Sequence, residues 1–275
     1  MLIADLLRRA RLEVLPLDGV EETVREHLGT DVKITVTASP TKGLDATFDL
    51  SERLVRAGYR VEPHLSARLV TDRSHLDAIL DRLRAGGVTE VFVLAGDPPE
   101  PAGNFHGAAE LLEAMGPRRA EFEAIGITGY PESHHLISDE ETIRAMFAKA
   151  EMATHIVSQI CFDAQVITGW VEQVRRRGTH LPIWIGLPGH VDYRKLLRVS
   201  MKIGLGGSTR FLRQHHGWLS RLLSRQFKPD HLLEELTPFV VEPAWNVAGL
   251  HLYTFNEVER TERWRRRMLD ELAGR

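Results

Sequence analysis

The first residue here whose type and setting suggest chemistry is Glu13, a carboxylate inside the apolar run Leu12–Pro16 (LEVLP). Taking a carboxylate out of water is costly unless a partner or a purpose offsets it, and a buried carboxyl favours its protonated, proton-donating form. A Glu at an edge or in a salt bridge is the alternative. Asp97 follows the run EVFVLAG and precedes Pro98-Pro99, which block a helix start. It is either a functional acid at a strand end or a turn former. Gln159 interrupts HIVSQICF. A neutral donor and acceptor aimed inward suits an amide-like edge such as a pterin ring, unless neighbouring backbone satisfies it. Cys161, read as sharing a strand face with Gln159, is the single cysteine and fits a buried structural role.

Other candidates are weaker. His134-His135 and His215-His216 look like metal pairs, but adjacent residues point apart and no third ligand is suitably spaced, so no metal is assigned. The turn Ile203–Thr209 (IGLGGST) leads into STRFLRQ and puts Arg210 at a helix N-terminus. Free N–H groups there attract phosphate, although glycine could simply end a preceding helix. Arg210, Arg213, Arg221 and Arg225 lie with Phe211 and Trp218 on an amphipathic segment or on a partner or dimer surface, the latter allowing a homo-oligomer. Along Glu257–Leu272 the arginines interleave with acids, as on a solvated, salt-bridged face. No GxGxxG separates an early strand from a helix.

These residues need elements to position them. Eight short apolar runs recur: Leu12–Pro16, Val32–Thr37, Tyr59–Leu65, Glu90–Ala95, Ala124–Thr128, His155–Phe162, Pro182–Leu187 and Gly249–Phe255. Several are nearly continuous, as in a parallel sheet covered on both faces. Helical segments lie between them, such as Asp72–Ala85, which stops at Gly86-Gly87, and Ser138–Met152, which opens with a cap and acidic residues. Met1–Ala10 forms a short amphipathic capping helix. Strand then helix, eight times over, predicts a (β/α)8 barrel of the TIM type, with a doubly wound sheet second. The long interval after the seventh run holds an extra helical excursion, Ser208–Phe227. Thr237–Pro243 is demoted to loop by its prolines. Residues 1–275 are expected to form one barrel domain. In such barrels active sites lie at the C-terminal ends of the strands, which directs attention to Glu13, Thr37, His64, Asp97, Tyr130, Glu132, His134, Gln159, Asp163, His190, Thr254 and Asn256.

Composition limits the function classes. The 275 residues are 43% hydrophobic and 27% charged with a net charge of −3, enough apolar material for a core and no general attraction for nucleic acid. A lone cysteine excludes a disulfide framework and no run is long enough to span a membrane, so a cytoplasmic location is expected.

The sequence resembles the methylenetetrahydrofolate reductase family. The resemblance rests on Glu13–Pro16 (EVLP), Val36-Thr37, Pro63-His64-Leu65, Gly96-Asp97, Tyr130-Pro131-Glu132 with His134, Gln159 with Phe162-Asp163, Pro188-Gly189 and Leu250–Asn256 (LHLYTFN), in the family's order along most of the chain. It implies a TIM barrel that reduces 5,10-methylenetetrahydrofolate to 5-methyltetrahydrofolate with NAD(P)H, NADH favoured. Glu13 is then the acid that opens the methylene bridge, and Asp97 and Gln159 hold the pterin. Thr37, His64, Tyr130, His134 and Lys149 fall where the family contacts its flavin, FAD, and the turn ending at Arg210 is a candidate for a dinucleotide phosphate. The pattern departs at Ala95, where the family carries an arginine, at Gly107-Ala108, and at Ala145. Losing that arginine removes charge-assisted bonds worth about 1.5–3 kcal/mol each. The expectation is therefore weak or absent FAD binding and direct hydride transfer from NADH. The alternatives are a non-catalytic folate-binding barrel and an oxidoreductase acting on another one-carbon carrier.

Overall fold

The structure is a computed structural model that describes residues 3–38, 42–98, 100–131, 139–191 and 229–274. Eight parallel strands close a barrel in sequence order: β1 (Arg11–Val14), β2 (Lys33–Val36), β3 (Val61–Ser66), β4 (Glu90–Leu94), β5 (Ala124–Gly129), β6 (His155–Ser158), β7 (Ile183–Pro188) and β8 (Val247–Tyr253). Pairing of β1 with β8, Arg11 opposite His251 and Glu13 opposite Tyr253, seals it. Around it lie α1 (Ile3–Arg8), α2 (Val20–His27), α3 (Gly43–Arg56), α4 (Arg73–Ala85), α5 (Ala108–Met115), α6 (Asp139–Ala150), α7 (Ala164–Arg176), α8 (Pro229–Val240) and α9 (Val258–Ala273). This is the (β/α)8 barrel expected from the repeating pattern. The excursion Ser208–Phe227 and the turn at Arg210 lie outside the described residues.

The apolar strand residues face the helices. Leu12, Val14, Ile34, Val91, Val93, Ile156, Ile185 and Leu252 are fully or almost fully buried there, against faces such as Leu76, Leu80 and Leu83 of α4. Because side chains alternate along a strand, the intervening residues enter the lumen, and besides the rings of Phe92 and Trp184 many of these are polar: Arg11 and Glu13 on β1, Lys33 and Thr35 on β2, Glu62 and His64 on β3, His155 on β6, His251 on β8. Contacts across the barrel confirm the direction, since Arg11 reaches Glu62 Oε2 at 2.7 Å and His155 Nε2 at 2.7 Å. The lumen is thus a stack of charged and hydrogen-bonding layers. Its bulky members are accommodated by glycine: a Cβ on Gly126 would lie 2.6 Å from the Phe92 ring and 2.7 Å from His155 Nε2.

Three expectations are corrected. Strand β6 ends at Ser158, not at Phe162. Ile160 N bonds the Gln159 side chain at 2.9 Å, and the chain then turns into Asp163, whose Oδ1 caps α7 by accepting from Gln165 N at 2.9 Å and Val166 N at 3.3 Å. Gln159 and Cys161 therefore share no strand face. Thr237–Val240 belongs to α8 and is no loop, because the buried stripe Leu232, Leu233, Leu236 and Val240 holds a helical period through the exposed Pro238. Finally, β1 starts at Arg11 and stops at Val14, so Leu15 and Pro16 belong to the loop that follows.

Candidate active site

Glu13 lies in the lumen at the penultimate position of β1, its side chain 12% exposed. Its Oε2 is 3.0 Å from His251 Nε2 on β8 and 3.6 Å from His64 Nε2 on β3. The strand end is fastened from β8 as well. Thr254 Oγ1 donates to Glu13 O at 2.5 Å, and the Asn256 amide donates to Leu15 O at 3.0 Å while accepting from Leu15 N at 2.8 Å. Both residues thus act on the backbone that carries Glu13. The two imidazoles are held by rings: His64 leans on Phe92 and His251 meets Tyr253 edge-on, each at 4.8 Å between centroids. Burial lowers His64 to about 4, outweighing the attraction of Glu13, so His64 is neutral at neutral pH. Tyr253 donates to Ser158 O at 3.1 Å, and burial, with Glu13 nearby, keeps its phenol protonated.

A second group stands at β5 and α6. The Tyr130 hydroxyl bonds Thr128 and feels the charge of Asp97, and burial raises the phenol above its ordinary value. Lys149 is 6% exposed and its ammonium lies 3.5 Å from Thr128 Oγ1. It has no ion pair with a carboxylate among the described residues, and burial lowers it to about 8. A buried cation without a counter-ion among the described residues is a candidate anion site.

Asp97 and Gln159 are both exposed, just beyond the ends of β4 and β6. The loop after β4 is folded against the turn after β3. Arg68 N bonds Ala95 O at 2.9 Å, and its guanidinium takes Pro98 O at 3.0 Å and His106 O at 3.1 Å. Thr37 lies just past the end of β2, with a buried Oγ1 that has no hydrogen-bond partner among the described residues. The structure therefore joins Glu13 to His64, and Tyr130 to Thr128 and Lys149. It puts Asp163 to use as a helix cap. Glu132, His134 and Arg210 lie outside the described residues.

His251 was missed as an individual residue, although it is the same signal as Glu13: a polar side chain between Leu250 and Leu252 in a buried strand. Also missed was the layer beneath, where Arg11, Glu62 and His155 meet, Lys33 lies 3.6 Å from Glu62 Oε2, and the Arg11 guanidinium covers the Trp184 ring at 3.8 Å.

A family model for methylenetetrahydrofolate reductase matches residues 21–204, more than half of the chain. The chain belongs to the methylenetetrahydrofolate reductase family. Glu13 and His251 lie outside the matched stretch, on the two strands whose pairing closes the barrel. Methylenetetrahydrofolate reductase 2 of Saccharomyces cerevisiae is 26% identical over 201 residues, covering 66% of this chain and 32% of the yeast protein. Methylenetetrahydrofolate reductase (NADH) 1 of Arabidopsis thaliana is 24% identical over 143 residues, covering 46% of this chain and 24% of the plant protein. The chain thus spans a third or less of the length of these curated relatives. A solved Clostridium thermocellum protein, described as binding two copies of 5-methyl-5,6,7,8-tetrahydrofolic acid, superimposes with a TM-score of 0.65 at 10% identity over 97% of this chain and 98% of its own. That likeness is one of fold.

Proposed function

We propose that this chain reduces 5,10-methylenetetrahydrofolate to 5-methyltetrahydrofolate, with NADH as the direct hydride donor. One observation carries the reading: a carboxyl, Glu13, held in a polar lumen near the C-terminal ends of the strands, by a histidine on one of its oxygens. The reaction needs such a group. Glu13 gives its proton to the bridge nitrogen, the carbon–nitrogen bond opens to an iminium, and hydride adds to that carbon as NADH becomes NAD+. Water then returns a proton to the carboxylate. Asp97 and Gln159, at the mouth, hold the pterin ring, while Lys149 takes a dinucleotide phosphate and Tyr130 and His64 flank the nicotinamide. The name of the Arabidopsis relative supports NADH as the donor.

Among the described residues, the loop after β4 does not offer a flavin diphosphate the guanidinium that the family places there. The position before Gly96-Asp97 is Ala95, a methyl group, and the guanidinium of Arg68, on the neighbouring turn after β3, is already bonded to Pro98 O and His106 O. The test is anaerobic NADH oxidation with methylenetetrahydrofolate, with and without added FAD. Turnover without FAD is the expected result. Activity that depends on FAD would overturn direct transfer, and folate binding without turnover would make the chain a binding barrel.

A further inference from the structure

Glu13 is gripped by one oxygen. Oε2 lies 3.0 Å from His251 Nε2, whereas Oε1 takes no hydrogen bond from a described residue. His251 is itself 1% exposed, and its other nitrogen, Nδ1, is buried without a hydrogen-bond partner among the described residues. An orphaned buried N–H is rarer than an orphaned lone pair. A single ring hydrogen on His251 therefore belongs on Nε2, where a carboxyl oxygen receives it, and the lone pair on Nδ1.

We propose that His251 is a positioning residue for Glu13: its Nε2–H holds Oε2, which leaves the acidic proton on Oε1, free to be given to substrate. When that proton departs, the His251 bond becomes a bond to a carboxylate and strengthens, so the residue stabilises what the transfer creates. The inference rests on the reading of Glu13 as the acid of the reductase. The titratable groups around this carboxyl are His251 and Tyr253 from β8, His64 with Glu62 behind it from β3, and Arg11 one layer down on β1.

The experiment compares His251→Phe, His251→Asn and His251→Gln in the full chain by steady-state NADH oxidation with methylenetetrahydrofolate across pH. Glutamine can return an N–H near the position of Nε2, whereas asparagine is too short and phenylalanine has none. With the donor gone, kcat should fall about 10- to 100-fold, the scale of one bond to a charged group. KM for the folate should stay within about threefold, and the alkaline limb of kcat should move to higher pH because the carboxylate has lost its donor. His251→Gln should return kcat to within about fivefold of wild type and the limb to its place. If His251→Phe does not fold, His251→Asn carries the same expectation. An unmoved alkaline limb in the donor-less variants, or a glutamine variant as slow as asparagine, would overturn the proposal. Wild-type protein without turnover, or a fully active Glu13→Gln, would instead overturn the underlying reading, so the two failures are distinct.

Discussion

Replacing Lys149 by Met should make the protein more stable and a poorer dinucleotide binder at the same time. Lys149 is 6% exposed, bonded at most weakly to Thr128 Oγ1 at 3.5 Å, and burial lowers its ammonium from 10.5 to about 8. The sign follows from linkage. Between about 8 and 10.5 the unfolded chain holds a proton that the folded chain has released, so stability rises with pH across that window, and below about 8 the penalty is complete. At 1.36 kcal/mol per pKa unit, the distance from 10.5 to about 8 is worth about 3 kcal/mol. Met keeps the length and apolar character of the stem without the charge. Urea unfolding at pH 7 should therefore show a gain of about 1–3 kcal/mol that shrinks as the pH is raised toward 10.5. NADH titration by fluorescence should show affinity falling tenfold or more, as one charge-assisted bond is lost. A variant no more stable than wild type at pH 7, or a gain independent of pH, would refute the argument that this ammonium is buried without a carboxylate partner among the described residues.

Three other substitutions probe the lumen. Glu13→Gln should reduce turnover by about 10²–10⁴ while folate binding, measured by calorimetry, survives; wild-type rates would remove Glu13 from the mechanism. Glu62→Gln should cost about 3–5 kcal/mol in denaturant unfolding, because it leaves Arg11, 2.7 Å away and 4% exposed, without its carboxylate. Burial alone would raise Glu62, but Arg11, His155 and Lys33 outweigh it and hold the carboxyl well below its ordinary range. Its stabilisation is present above about pH 4.3 and is lost as pH falls toward the lowered folded value, so the variant's stability should depend less on pH in acid. Gly186→Ala places a Cβ 2.2 Å from Ser158 O and 2.9 Å from Gln159 O. Backbone must move, so a cost of about 1–3 kcal/mol and a higher KM for folate are expected, read by thermal unfolding and kinetics.

The barrel was legible because its signals are local. Each strand carries helix-facing branched residues, and helices such as α4 announce themselves by an N-cap, Asp72 accepting from His75 N at 2.8 Å, and by a glycine stop. The lumen was not legible, for a physical reason. Arg11, Lys33, Glu90 and His155 are the first residues of their strands, and in sequence a polar residue at a strand's entry carries no sign of which side it faces. Only the closure of eight strands far apart in sequence puts them inside, and only then does burial force them into pairs. Glu13 could be found because its neighbours Leu12 and Val14 framed it; His251 was framed the same way by Leu250 and Leu252. Gln159 had the frame without the burial, since β6 stops one residue before it.

The two levels of the lumen differ in how charge is matched, although Glu62 Oε1 and Trp184 Nε1 in the lower one also lack a hydrogen-bond partner among the described residues. Below, Arg11, Glu62, Lys33, Glu90 and His155 form a network of ion pairs, in which a carboxylate such as Glu62 faces two cations. Around Glu13, four buried atoms lack a hydrogen-bond partner among the described residues: Thr35 Oγ1, Thr37 Oγ1, His64 Nε2 and His251 Nδ1. Thr35, His64 and His251 sit on β2, β3 and β8, Thr37 directly follows β2, and β2 and β8 are the strands that pair directly with β1. Each buried polar group left unmatched costs about 1–3 kcal/mol, and native proteins keep few of them. Four around one carboxyl are more than packing alone would retain. They are groups for water or a ligand to complete, and a pterin, with its donors and acceptors along one edge, is a molecule that gains from such a wall. The same reasoning separates the roles of the two glutamates: Glu62, surrounded by cations, is a structural charge, whereas Glu13, held by a single donor with its other oxygen unclaimed by a described residue, is placed to give up a proton.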